Sequence, residues 1–386
     1  MKKKILIAFI AFVITACTII SSSVVSVKAD SSPMSVNAKS YLITDFDMNT
    51  EIASNEKDKR LPIASMVKIM TLDLIFDSID EGKLSLEDEI QVSENANSMG
   101  GSQAYLDAGV SYKAEELIKS IIVASANDSC VAMAEHLAGS VDAFVALMNQ
   151  KAQSLEMHDT HFVNCTGLPA PNEYSTAADV LKMTRDLMTH ERFFDYSGIW
   201  TFDFLHPSGR VTTLTNTNKL SRFYNGCDGG KTGYTSEALS CLSATAKRGD
   251  TRLLCVVIGA PSSKIRNAEV TKLFNYGFAN FENKKIFSFD DAKNTVAEVI
   301  NGKPSRIKVV PECEIYRFGA RNVHSGAIDV RFVPGTVEAP VAVGDVVGKF
   351  EVYENGELLK SVNALASEGC DRMSFMDIIG DIAKRW

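Results

Sequence analysis

Apolar residues recur along this chain with two periods, and the change between them falls near residue 281. Before it, spacings of three and four predict helices over Lys113–Ala138, Val141–Ser154, Thr176–Thr189 and Asn267–Phe278. The first of these is interrupted at Ser125-Ala126-Asn127-Asp128. Strands are predicted at Ser40–Asp45 and Glu51–Ala53 across a turn-like Asp47-Met48-Asn49-Thr50, and again at Lys231–Thr235, Cys241–Lys247 and Leu253–Gly259. Cys227-Asp228-Gly229-Gly230 reads as a turn, and Thr212–Leu220 as a polar, Asn-rich stretch. From Thr295 onward short alternating runs take over, at Arg306–Val310, Glu314–Phe318, Ala327–Val333 and Val346–Tyr353, with Asn355-Gly356 as a hairpin signal. The order predicts α+β or α/β layers around one central sheet over 30–281, then a small β-rich domain over 282–372.

The two ends differ from the rest. Residues 1–29 combine Lys2-Lys3-Lys4, an apolar run from Ile5 to Ala16 and small residues at the ends of Val27-Lys28-Ala29, which is the pattern of a secretory signal peptide. The apolar run is short for a membrane span. Ile14-Thr15-Ala16-Cys17 resembles a lipobox without its usual leucine, so lipidation at Cys17 stays an alternative to cleavage after Ala29. At the other end, Met373–Trp386 places Phe375, Ile379, Ile382 and Trp386 on one side of a helix, flanked by Ile378 and Ala383. Such a helix docks on a domain or lies in a membrane interface, and the pattern allows both.

The net charge of −8, with no basic cluster beyond the N-terminus, argues against a nucleic-acid partner. Of eight cysteines, Cys17 lies in the leader; the other seven show no paired spacing and read as small core hydrophobes. There is no His-Glu-x-x-His, and the six histidines form no ligand set. No metal and no cofactor are expected.

One stretch suggests chemistry. In Leu61–Leu72 the only charge is Lys68, and apolar residues surround it on every side of the helical wheel. Ser65 lies one turn earlier on the same face. Burial lowers the pKa of an amine, so the pair reads as a nucleophile beside a general base. Ser-x-x-Lys alone is weak, since roughly one match arises by chance in a chain of this length. Two further motifs follow it in order: Ser125-Ala126-Asn127 at the helix break, and Lys231-Thr232-Gly233 on a predicted strand. Each alone could be a cap or a surface charge; the set is harder to dismiss.

With these residues the sequence resembles the active-site serine penicillin-recognising enzymes. More narrowly it is similar to the low-molecular-weight penicillin-binding proteins that are D-alanyl-D-alanine carboxypeptidases of peptidase family S11. The likeness extends through Arg60–Thr71, Gly100-Gly101-Ser102-Gln103, Thr160–Leu168 and Asp228–Thr235. It implies an α+β penicillin-binding-protein fold with a central antiparallel sheet, removal of the terminal D-Ala of peptidoglycan stem peptides, and β-lactams as covalent inhibitors. It also implies roles. Ser65 forms the acyl-enzyme and Lys68 takes its proton. Ser125 relays a proton to the leaving D-alanine, while Asn127 and Lys231 hold the hydrogen-bond network. Backbone N–H groups of Ser65 and Tyr234 form the oxyanion hole. Thr232, Gly233 and Thr235 contact substrate, and Arg266 matches an arginine near the carboxylate pocket. The family's habit of anchoring through its last helix implies attachment to the outer face of the cytoplasmic membrane. Two positions depart from the pattern: Gly230 stands where Leu is usual, and Leu239 where Gly is common.

A class A β-lactamase would need a deacylating Glu between the second and third motifs. Glu135, Glu156, Glu173 and Glu191 lie in no Glu-x-x-Leu-Asn context. A D-Ala-D-Ala endopeptidase or a transpeptidase shares the same motifs, and a catalytically silent wall-binding protein would be expected to have lost them.

Overall fold

The computed structural model describes residues 34–321, 326–377, 379 and 380. The leader with its Cys17 and Ala29 sites, His324, Ile378 and 381–386 lie outside the described residues. The central sheet has five antiparallel strands in the order Glu51–Asn55, Ser40–Asp45, Thr251–Ala260, Leu239–Arg248, Cys227–Thr235. Its middle strand, Thr251–Ala260, is apolar on both sides because both faces are covered. Leu254, Val256 and Ile258 join the larger core, where Thr184 of the helix Ala177–Leu187 bonds Ser243 of the neighbouring strand at 2.7 Å. On the opposite face the helix Ser263–Asn280 packs so closely that a Cβ on Gly277 would lie 2.6 Å from Leu253.

The predicted break at residue 125 is real and sharp. The helix Ala114–Ala124 ends on Ser125 in the left-handed region (φ 65°), and Asn127–Ala138 starts two residues later. Val141–Ser154 has the predicted bounds, capped by the Ser140 side chain on Ala143 N.

Three readings need correction. The Leu61–Leu72 stretch is not one helix. Ala64 has φ +48°, so a 3₁₀ turn over Ala64–Val67 comes first and the α-helix runs from Lys68 to Asp80. Cys227–Gly230 is the start of a strand, with a bulge between Cys227 and Gly229. There Gly230 takes φ +134°, and a Cβ would sit 2.2 Å from Ser243 O, which explains why leucine does not stand here. The polar stretch from Thr212 hides a hairpin, Thr201–Leu205 with Val211–Thr215, whose faces bury only Phe204 and Leu214.

Beyond residue 281 a second core gathers Ile307, Val309, Ile315, Phe350, Val352 and Ala364. It lies under a five-stranded sheet ordered Val296–Glu298, Arg306–Pro311, Glu357–Ala366, Val346–Glu354, Ile328–Pro334, with Phe281–Phe287 paired to Ile315–Ala320. Asn355 and Gly356 both take positive φ in the two-residue turn that joins Val346–Glu354 to Glu357–Ala366. Of the last helix, residues 375–377, 379 and 380 are described as helical.

Candidate active site

Ser65 is held at its position by two close approaches of glycine backbone. A Cβ on Gly167 would lie 2.1 Å from Ala64 O and 2.9 Å from Ser65 N. A Cβ on Gly233 would lie 2.6 Å from Ile63 O and 3.2 Å from Ser65 N. The turn that carries Ser65 is thus wedged between the Thr166–Leu168 loop and the strand Cys227–Thr235, and neither wall tolerates a side chain there.

Lys68 is fully buried, and its Nζ donates to Ser65 Oγ at 3.0 Å and to Thr166 O at 2.5 Å. Burial lowers its pKa. Lys231, also buried, donates to Ser125 Oγ at 2.8 Å and to Thr232 O at 3.2 Å. Its pKa falls well below the ordinary value through burial and the nearby charges of Lys68 and Arg266. Both amines are therefore pushed toward the neutral form, in which nitrogen can accept a proton.

Asn127 opens its helix with Nδ2 donating to Gly100 O at 2.6 Å and its N–H to Ser102 O at 2.7 Å. Its buried Oδ1 has no hydrogen-bond partner among the described residues. Thr232 Oγ1 donates to Thr217 at 2.8 Å, Thr235 Oγ1 accepts from Ala238 N at 3.0 Å, and Tyr234 is 69% exposed at the strand edge. The structure thus gathers Ser65, Lys68, Ser125, Asn127, Lys231 and the Thr232–Thr235 strand. Arg266 stands apart, one strand behind: its guanidinium donates to Asn267 Oδ1 at 2.9 and 3.0 Å and to Cys241 O at 3.3 Å, and Cys241 is the cross-strand partner of Gly233. Burial lowers its pKa to about 10.

Other residues of the site were assigned no role from sequence. Buried Asp128 accepts from Ala104 N (3.0 Å) and Leu106 N (3.1 Å) and so fixes the loop after Gly100. Thr217 had a signal only in its Asn-rich setting, where Asn216 and Asn218 close the turns. A cleft of about 590 Å³ beside Ser65 is lined by Arg60, Ala64, Gly167, Glu173, Thr235 and Glu237, among others. Burial pushes the Glu173 carboxyl up to about 7, while the N–H groups of Val163 and Asn164 favour its ionised form.

A serine and a buried lysine in hydrogen-bond contact, faced by Lys-Thr-Gly on the edge of an antiparallel sheet, define the site of a serine acyl-transfer enzyme of the penicillin-recognising class. Residues 26–262 match the family described as D-alanyl-D-alanine carboxypeptidase, and 281–372 match the C-terminal domain of penicillin-binding protein 5. The chain is 34% identical to the D-alanyl-D-alanine carboxypeptidase DacF of Bacillus subtilis, over 92% of this chain and 91% of that one. It resembles the crystal structure of penicillin-binding protein 5 from Haemophilus influenzae with a TM-score of 0.68 and 28% identity, covering 89% of this chain and 100% of that one. A Streptomyces K15 DD-transpeptidase variant matches 64% of this chain and 99% of its own, with a TM-score of 0.59 and 26% identity. The chain belongs to the D-alanyl-D-alanine carboxypeptidase family, peptidase S11, with the penicillin-binding protein 5 type of C-terminal domain.

Proposed function

We propose that this protein removes the terminal D-alanine from peptidoglycan stem peptides through a Ser65 acyl-enzyme, and that penicillins acylate the same serine. The observation that carries this reading is the contact of Ser65 Oγ with the buried Lys68 amine. In the reaction the Ser65 proton passes to Lys68 Nζ as the oxygen's electron pair forms the new C–O bond to the penultimate D-alanine carbonyl carbon. The carbonyl becomes an oxyanion, which Ser65 N–H and Tyr234 N–H stabilise in this reading. Collapse breaks the C–N bond, and the proton reaches the leaving amine through Ser125, which Lys231 holds at 2.8 Å. A substrate carboxylate near Lys231 favours its ammonium form, and that charge keeps Lys68 neutral. Asn127 Oδ1 is available to accept from a substrate amide N–H, Thr232, Gly233 and Thr235 line the substrate strand, and Arg266 acts from behind it on the field at Lys231.

Glu173 reaches the cleft wall, yet its Oε1 is turned to the backbone N–H groups of Val163 and Asn164. That supports a penicillin adduct that outlasts a β-lactamase turnover. The reading also includes an extracytoplasmic location and the domain limits 30–281 and 282–372. It further includes attachment to a membrane surface through the last helix, where Phe375 and Met376 are 75% and 73% exposed instead of docked. The test is incubation with diacetyl-Lys-D-Ala-D-Ala: release of one D-alanine per peptide is expected, with a stable adduct to penicillin. Rapid multiple-turnover hydrolysis of penicillin would instead favour the β-lactamase reading.

A further inference from the structure

Asn164 is neither charged nor nucleophilic, but its side chain closes the loop that meets Lys68. Its Oδ1 accepts from Thr166 N at 2.9 Å, Thr166 Oγ1 at 2.9 Å and Gly167 N at 2.6 Å, and its Nδ2 donates to Leu168 O at 3.0 Å. The loop closed in this way presents two carbonyls to the helix Lys68–Asp80. Thr166 O accepts from Lys68 Nζ at 2.5 Å, and Cys165 O accepts from Thr71 Oγ1 at 2.8 Å. Glu173 Oε1 braces the loop from behind by accepting from Asn164 N at 3.3 Å.

We propose that Asn164 is a positioning residue for acylation: it holds Thr166 O against one N–H of the neutral Lys68 amine, which aims the nitrogen lone pair at Ser65 Oγ. The proposal rests on the reading of Lys68 as the base. A neutral amine has two N–H groups and one lone pair, and it rotates freely about its terminal bond unless an acceptor fixes it. With one N–H on Thr166 O, the lone pair can face Ser65 at the observed 3.0 Å. When Lys68 takes the Ser65 proton, Thr166 O remains as an acceptor for the ammonium ion that forms. Without the Asn164 side chain, Thr166 N–H, Gly167 N–H and Leu168 O each lose a partner, and the loop keeps only its bonds to Thr71 and Glu173, neither of which fixes the Thr166 carbonyl itself.

The test is the rate constant for acylation by a fluorescent penicillin, followed as a function of pH in wild type, Asn164→Ala and Asn164→Asp, with the melting temperature of each. Asn164→Ala is expected to slow acylation about ten- to a hundred-fold, the scale of a misplaced catalytic group. Asn164→Asp retains the Oδ1 acceptor, loses the Nδ2 donation to Leu168 O, and adds a negative charge near Lys68, which favours the ammonium form. Its acid limb should move to higher pH, and above that limb its rate should return to within a few-fold of wild type. If Asn164→Ala does not fold, the rate of Asn164→Asp above its limb carries the test, since a rate that stays about ten-fold or more below wild type there, with the Oδ1 acceptor kept, would overturn the proposal. Wild-type rates in Asn164→Ala would overturn the positioning role. A Lys68→Arg protein that still acylates would instead remove the base reading on which it rests.

Discussion

At Ala64 the backbone turns through φ +48°, a conformation that costs a residue with a Cβ about 1–2 kcal/mol. Ser125 sits at φ +65°, also within the site, and Leu239 at φ +59° where the Lys-Thr-Gly strand turns into the next. The last value gives a physical reason for the glycine common at that position in the family. None of these conformations can be read from a sequence, because alanine, serine and leucine carry no mark of positive φ. What can be read is the chemistry: Lys68 in an apolar stretch announced its own burial. That burial also makes the substitution Lys68→Arg informative. Guanidinium stays protonated and cannot accept the serine proton. Acylation by a fluorescent penicillin should fall by orders of magnitude, and an arginine variant that acylates near the wild-type rate would show that Lys68 is not the base.

The helix that begins at Lys68 carries its own charge cluster one turn further on. Asp73 is fully buried, with Lys151 Nζ and His190 Nε2 each 3.5 Å from its oxygens. Lys151 also reaches Asp77 and Asp186, both at 2.7 Å, and His190 Nδ1 lies 2.6 Å from Asp80. Burial raises the Asp73 carboxyl to about 6. Burial works against charge on His190, yet Asp73 and Asp80 outweigh it and raise the imidazole to about 8. Both folded values lie above those of an unfolded chain, so the folded protein binds more protons and stability falls as pH rises. For Asp73 the fall spans about pH 4 to 6, and for His190 about 6.5 to 8, where it amounts to about 2 kcal/mol. Urea denaturation in mildly acidic and mildly alkaline buffer should show that loss in wild type and a smaller one in His190→Gln. An equal loss in both would rule out His190 as its source. From sequence, Asp73, Asp77 and Asp80 look like an ordinary polar stripe, because their partners come from two other elements. The Val141–Ser154 helix was legible to the residue because its apolar spacing holds from end to end. The hairpin of Thr201–Leu205 with Val211–Thr215 was not, because one buried residue per strand leaves almost no alternation to detect.

Across the whole molecule, the three motifs come together because separate parts of the fold deliver them to one sheet edge: the turn at Ala64, the helix break at Ser125 and the edge strand at Lys231. Order along the chain made that grouping visible, while the loop at Asn164 matched the family without showing what it holds. The β-rich part beyond residue 281 has its own core, and the exposed Phe375, Met376 and Ile379 project from the final turns. Full burial of an apolar side chain is worth roughly 1.5–3 kcal/mol, so the proposed attachment of so short a helix to a bilayer would be reversible. A chain ending at Asp371 should move from the membrane to the soluble fraction with unchanged carboxypeptidase activity; an insoluble or unfolded product would show that the helix completes a core instead. The most direct test of the acyl-enzyme itself is intact-mass spectrometry of wild type and Ser65→Ala after exposure to penicillin. The account predicts a single added penicillin on wild type and none on Ser65→Ala at an unchanged melting temperature. An adduct that persists on Ser65→Ala would contradict it and place the nucleophile elsewhere.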